Sequence, residues 1–554
     1  MDTVRTGRRE KRMKRSLDCF AIATLLLIVF RILFLTRWTG NIGNGFLVAP
    51  YMIFQICMMI SGYCIAGTVY KMVRARVTRG QIRNAVRVFH ASCGLTMVLG
   101  GLLTLIVWLS ADTVTASLLH CSGAGDIMRI LAPAIMLYSL AGCFRGMLNG
   151  FDIIASPAVI GLMTELITTG ICIAGAGYYA GYGAKVGDLI RNPMMQYLYA
   201  TKGSVIGVAV GAAVCLIALI VVLVLNYGRI RSMLRKDNTI RDENLGQTYN
   251  TLICSSFPGI GMTILFVIGQ LIGIRYVSLS DGSIEALTYD LQCIGIYYVQ
   301  MLAIVLIPIF IILQITTDMR PVLREYAKQD ERKPIRDYLK SRIRYILLFT
   351  MAVSVYLFVM SEPVIRMLFG SRASELAIYL MGFGAILILL CSFIIPMYRT
   401  IIGIHQKKFL YAVLVVANIV GLIAMKIAIT KLHMGVEGIL VASSLFAAVV
   451  LAGFVLIVRR FLRYRQEWVF SVFIPFVGAF IAGVVVWLIR LMLNPLHMPA
   501  LSVVAGAAVY YVAYWLVIAL LRGITAEELM DIPTGRIALS MLGRLHLVEE
   551  EDKE

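Results

Sequence analysis

Residues 17–35 read LDCFAIATLLLIVFRILFL, a run in which only Asp18 and Arg31 carry charge. A run of this length spans the hydrocarbon core of a bilayer as a helix. It follows Arg5, Arg8, Arg9, Lys11, Arg12, Lys14 and Arg15, the kind of basic start that a signal peptide also has. It is too long for a signal core and no small-x-small cleavage site follows, so it reads as a retained first transmembrane helix.

The same reading repeats down the chain. Apolar runs at about 17–35, 46–70, 88–110, 129–150, 157–180, 203–227, 251–277, 291–316, 343–361, 376–402, 409–430, 436–458, 470–492 and 500–521 predict about fourteen transmembrane helices. Of the 554 residues, 60% are hydrophobic and only 15% charged, too few charges to cover a water-soluble surface. None of the runs has the short alternating pattern of a barrel, so the fold class is all-α integral membrane.

The net charge of +20 raises nucleic acid as a partner, and its distribution argues against that. With the N-terminus inside, thirty-six of the 51 Lys and Arg residues fall in cytoplasmic segments and seven in outer loops. Basic residues stay on the cytoplasmic side, so both termini are expected in the cytoplasm and the charge is mostly topological. The cell membrane is the expected location. Two loops, 317–342 and 71–87, look like amphipathic helices on the inner leaflet.

The expected organisation is a basic cytoplasmic N-terminus (1–16), an N-lobe of six helices (17–228), a cytoplasmic linker (229–250), a C-lobe of six helices (251–458), two appended helices (470–521) and a cytoplasmic tail (522–554). A repeat supports the two lobes. Each basic loop follows the second helix of a block. Phe144-Arg145 with Gly150 is echoed by Tyr398-Arg399 with Gly403, and a polar residue follows in the next helix, Glu165 in one block and Asn418 in the other. Parallel repeats of this sort build many transporters, with the substrate path between the halves, and helices 1, 2, 7 and 8 are expected to line it.

The residues also resemble a known family. Lys71, Gly80-Gln81, Ala85 and Arg87-Val88-Phe89 are similar to the signature after the second helix of sporulation-type polysaccharide flippases. So are Phe144-Arg145-Gly146 with Asn149-Gly150, Pro157 and Glu165. Residues 362–370 (EPVIRMLFG) and 520–533 (LLRGITAEELMDIP) resemble later segments of the same family. The resemblance runs in order along nearly the whole chain. It implies the multidrug/oligosaccharidyl-lipid/polysaccharide exporter superfamily, in the branch of the stage V sporulation protein B group and the lipid II flippases, with two six-helix lobes. Arg31 and Arg37 match the spacing of the lipid II flippases' paired arginines. Departures are Tyr70, Ala75, Ile32 in place of an Asp, and an eighth helix that offers Gln292, Gln300 and Gln314 instead of an arginine. They leave the glycan open.

A flippase for a lipid-linked oligosaccharide must offer cations to a phosphate that the bilayer excludes. The candidate substrate-binding residues are Arg31, Arg37, Arg145, Glu165 and Arg399. Arg31 either meets the phosphate or snorkels to the outer headgroups from one turn below. Glu165 is either a proton or cation site or a brace for Arg145. Arg145 and Arg399 either bind inner-leaflet phosphates or serve as snorkelling and hinge residues. Lys71, Arg74, Arg76 and Arg79 form a cytoplasmic basic face suited to anionic lipids. The alternative function is a multidrug or cation antiporter of the same superfamily, which needs a coupling carboxylate in the N-lobe. Asp18 and Glu165 are the residues on offer.

No catalytic constellation, P-loop or Cys/His metal motif is present in the sequence. The expectation is a non-enzyme without cofactor or metal, driven by an ion gradient or the membrane potential. Its expected partners are a lipid-linked glycan, anionic membrane lipids and, where present, glycan-assembly enzymes. The eleven cysteines read as packing residues.

Overall fold

A computed structural model describes residues 2–120, 122–239, 243–278, 284–329, 332–493, 498–521 and 539. Side chains are described from residue 17 onward, apart from 18, 119, 122 and 284. The expectations placed on the side chain of Asp18 and on almost all of the tail 522–554 lie outside these residues.

The described residues are helical and fall into two compact units, Met1–Gly295 and Ile296–Glu554. The first holds α1 (Asp2–Met58), α2 (Cys64–Val77), α3 (Ile82–Leu109), α4 (Ala111–Leu119), α5 (Gly125–Gly150), α6 (Ala155–Ile190), α7 (Met194–Leu225), α8 (Tyr227–Arg235), α9 (Leu245–Val277) and α10 (Ile284–Gly295). The second holds α11 (Ala303–Ile315), α12 (Met319–Lys328), α13 (Arg332–Val359), α14 (Ser361–Phe369), α15 (Glu375–Gly403), α16 (Lys407–Thr430), α17 (Val436–Leu462), α18 (Ile474–Leu493) and α19 (Pro499–Leu520). By packing, therefore, the first unit reaches past the predicted linker and takes in residues 251–295.

Thirteen helical stretches among the described residues are long and apolar enough to cross a membrane. The sequence predicts fourteen, and the difference lies at the start. Residues 19–77 form one 59-residue stretch, about three times what a bilayer needs. It is broken at Gly40, whose φ of 60° and ψ of −176° interrupt the helix. Those dihedrals suit a residue without a Cβ. Asn44 closes the break, accepting from Thr39 Oγ1 at 2.8 Å and donating to Thr36 Oγ1 at 3.2 Å. The first two predicted segments therefore join around this glycine.

Large apolar side chains such as Val98, Leu105, Leu109, Leu225 and Phe480 stand exposed, a surface that suits lipid rather than water. Helices α6 and α7 approach closely because small residues face each other. A Cβ on Gly175 would meet the Gly203 carbonyl oxygen at 2.5 Å, and one on Gly207 would meet the Cys172 backbone nitrogen at the same distance. Small residues let backbones touch where lipid supplies no hydrophobic driving force.

The two units share a helix ending. After α5, Phe151 N bonds Met147 O, Asp152 N bonds Asn149 O and Ile153 N bonds Leu148 O. After α15, Ile404 N bonds Thr400 O, His405 N bonds Ile402 O and Gln406 N bonds Ile401 O, the same pattern of offsets. Asp152 (φ 67°) and His405 (φ 62°) both take the left-handed conformation that commonly ends helices. Aligning these endings pairs Glu165 with Asn418, as the sequence echo does. It pairs Arg399 with Gly146 rather than Arg145, so the two arginines lie one residue out of register.

The basic segment 71–87 is not a separate interfacial helix. Its first part extends α2, its last part begins α3, and a turn at Thr78–Gln81 joins them. The linker clasps this turn. Asp237 Oδ1 accepts the first amides of α3, from Ile82 at 2.6 Å and Arg83 at 3.3 Å, and the Thr239 hydroxyl at 2.8 Å. Arg76 Nε donates to Glu243 Oε1 at 2.9 Å, and Asn84 Oδ1 accepts the Glu243 amide at 3.1 Å. Residues 317–342 do contain a short helix, α12, which buries Met319 and Leu323.

Burial pushes the Asp237 carboxyl up. The Thr239 hydroxyl and the backbone amides outweigh it, so its pKa lies below the ordinary value. A lowered pKa stabilises the fold above the unfolded carboxylate range, and that gain disappears as pH falls through the folded value. Asp237→Asn is expected to lower the stability of the first unit by about 1 kcal/mol at neutral pH. Melting of the purified protein in detergent should show a gap to the parent that is constant at neutral pH and closes only below about pH 4. A gap that persists in acid would show that the carboxylate charge plays no part.

Candidate functional site

Arg31 is buried, 8% exposed, on the first limb of α1. Nine residues separate it from the break at Gly40, so it lies about 14 Å along the helix from that end, close to half the hydrocarbon thickness. The predicted first helix stops at residue 35 and leaves Arg31 one turn from headgroups. The real limb runs further, so snorkelling from one turn below does not describe this arginine.

Its partner comes from α6. Arg31 Nη1 stands 2.7 Å from Glu165 Oε1, with both side chains mostly buried. Glu165 is ten residues into α6, again about 15 Å from the helix start. The two charges therefore meet at matching depth within the first unit. This corrects the expected brace between Glu165 and Arg145. Arg145 donates instead towards Cys215 Sγ at 3.9 Å, and its Nε is buried without a hydrogen-bond partner.

The chain reversal at Gly40 brings the second limb of α1 back along the first. Tyr51 lies nearly as far after Gly40 as Arg31 lies before it, and it stands close enough to act on the Arg31 charge, as do Tyr138 of α5 and Cys172 of α6. One helical turn beyond Glu165, Thr169 Oγ1 is buried without a partner. The site thus comprises one cation, one carboxylate, two phenols and an unsatisfied hydroxyl, drawn from α1, α5 and α6. Sequence reading overlooked Tyr51, Tyr138 and Thr169. The only signal for Thr169 was its place one turn from Glu165, while the tyrosines gave none.

The other candidates lie elsewhere. Arg37 is exposed, with its guanidinium carbon 4.7 Å from the centre of the Phe34 ring, and it does not join Arg31. Arg399 is on α15 of the second unit with its Nε buried and unpartnered. In the basic face, Lys71 and Arg79 are exposed, Arg74 pairs with Asp152 at 3.2 Å and Arg76 pairs with Glu243. Arg74 and Arg76 are therefore spent on acids within the protein, and Lys71 has a contact of its own. Among the described residues no group of three or more His, Cys, Asp or Glu comes together as a metal site would require.

No protein-family profile and no curated protein matches the sequence. Solved structures do match the fold. The chain is similar to the lipid II flippase MurJ in an inward closed conformation, with a TM-score of 0.65 and 14% identity over 91% of this chain and 99% of that one. An inward-facing multidrug resistance MATE family transporter of the MOP superfamily superposes with a TM-score of 0.58 at 12% identity, over 79% of this chain and 94% of that one. A MOP superfamily transporter from Pyrococcus furiosus, described as having a binding pocket of reversed polarity, gives 0.53 at 14% identity, over 82% and 96%. The protein thus has the multi-pass, all-helical membrane fold of these transporters.

Proposed function

We propose that this protein is a flippase that moves a lipid-linked oligosaccharide across the cytoplasmic membrane by alternating access, and that Arg31 receives the substrate's phosphate. The observation that carries this reading is the buried guanidinium of Arg31 at mid-depth, held by the single carboxylate of Glu165. An intramembrane cation is costly and marks a substrate path. Arg31 meets Glu165 through a single close contact, Nη1 to Oε1, whereas a phosphate can engage both arms of the guanidinium and carries more charge, so it competes for Arg31. Glu165, once displaced, is left to a proton or a cation. That exchange gives an ion gradient or the membrane potential a point of entry to the cycle.

A second reading has its own support. Glu165 is a buried carboxylate in the N-terminal unit, the feature that a multidrug or cation antiporter of this fold requires. Here Glu165 is the working residue and Arg31 its counter-charge.

The two readings separate in one experiment. Cells depleted of the protein should accumulate a lipid-linked precursor on the cytoplasmic face, detected by a label that reaches only the outer leaflet in intact cells, while dye efflux is unchanged. Loss of dye efflux with normal precursor export would instead establish the antiporter.

A further inference from the structure

Among the described residues, two arginines of the second unit, Arg320 and Arg399, have no carboxylate partner. Helix α12 packs on the last turns of α15, where a Cβ on Gly403 would meet the Leu323 Cβ at 2.9 Å. Arg320 is three residues before Leu323 and Arg399 four before Gly403, so both lie on the faces that meet. Arg320 lies close enough to act on the Arg399 charge. The Nε atoms of both arginines are buried without a hydrogen-bond partner. Asp318 is engaged in a contact of its own, and Glu325 and Arg324 on α12 are exposed.

Comparison with the first unit sharpens the anomaly. With the helix endings aligned, Asp152 matches His405 and Gly150 matches Gly403; a Cβ on Gly150 would meet Val73 as one on Gly403 would meet Leu323, so Val73 matches Leu323 and Arg74 matches Arg324. In the first unit Arg74 pairs with Asp152 at 3.2 Å. In the second unit the acid is a histidine, and the glycine pressed onto α2, Gly146, is replaced by Arg399. The second unit therefore places a cation where the first has a glycine, and lacks the anion found there in the first. Two guanidiniums at one helix junction, each with its Nε buried and unpartnered, repel one another, and an anion joining them relieves that repulsion.

We propose that Arg320 and Arg399 form a phosphate site at this end of the second unit. Arg399 lies four residues from the end of α15, about 6 Å along the axis, which is headgroup depth on the side that the Lys and Arg distribution assigns to the cytoplasm. Two planar forks suit a phosphate monoester or diphosphate. The anion belongs either to a lipid headgroup or to a soluble phosphate. The site stands apart from Arg31 and does not rest on the flippase reading.

The test uses the full-length protein in phosphatidylcholine nanodiscs and reads its melting midpoint. One arm dopes phosphatidic acid into the discs, and the other adds inorganic pyrophosphate to the buffer. At least one probe should raise the midpoint in a saturable way. A rise with phosphatidic acid alone identifies the headgroup as the source, and a rise with pyrophosphate identifies the soluble anion. Arg320→Gln and Arg399→Gln should each weaken the response by about tenfold, while Arg324→Gln, exposed on the same helix, leaves it intact. If the Gln variants do not fold, Arg320→Lys and Arg399→Lys keep the charge, lose the fork and should show a smaller but measurable weakening. Parental affinity in all folded Arg320 and Arg399 variants would overturn the site, as would equal loss in Arg324→Gln or no shift with either probe.

Discussion

Replacing Arg31 with Ala is expected to abolish precursor export. Arg31 is the buried cation at mid-depth in the first unit, and no other candidate arginine stands with it. Arg37 is exposed and Arg145 lies towards Cys215. The single substitution also strands the Glu165 carboxylate, and breaking a buried pair from one side costs about 3–5 kcal/mol. Lost export alone would therefore confuse folding with function. Arg31→Ala combined with Glu165→Ala removes both charges and should restore the amount of folded protein in the membrane, with export still absent. Arg31→Lys should keep part of the activity, since it retains the charge and loses the bidentate geometry. The measurement is the ratio of cytoplasmic to outer-face precursor, normalised to folded protein. Normal export by the double Ala variant would end the phosphate-contact idea.

Glu165→Gln should divide the two functional readings. The substitution keeps the shape, removes the negative charge and leaves Arg31 without its counter-ion. If Glu165 only holds Arg31 in place, export continues and phosphate binding tightens, because the competing carboxylate has gone. Export that collapses in Glu165→Gln while phosphate binding persists would show that the carboxylate couples the cycle to an ion. In an antiporter the same change should abolish gradient-driven dye efflux. Proteoliposomes carrying an imposed pH or sodium gradient would report this directly, with the Arg31→Ala and Glu165→Ala double variant as the background. Efflux that still follows the gradient in Glu165→Gln would rule out Glu165 as the coupling group.

Much of the architecture was readable because lipid enforces a simple rule. A segment in hydrocarbon must satisfy its own backbone, so long apolar runs are helices. Length and composition therefore located the spanning segments from Leu17 to Leu520. They also left a gap at 36–45 between the first two runs, and the structure narrows it to a single residue, Gly40. The repeat was visible through Glu165 and Asn418, which share a register. The echo of Arg145 and Arg399 was off by one residue, as their unequal spacing to Glu165 and Asn418 already indicated, and the matching hydrogen bonds at Asp152 and His405 fix the register.

Partners in space were another matter. The sequence alone marked Arg31 and Glu165 as charges that hydrocarbon tolerates only for a reason. It did not join them, since neighbouring predicted helices made Arg145 the nearer candidate for Glu165. The choice depends on helix rotation and on the close α6–α7 contact through Gly175, Gly203 and Gly207, which no pattern along one helix reports. The same holds for Arg320 and Arg399, seventy-nine positions apart. Composition and hydrophobic length act locally along the chain and determined the class of fold. Which charge meets which depends on the azimuth and crossing of packed helices, and that was decided only when the helices were brought together.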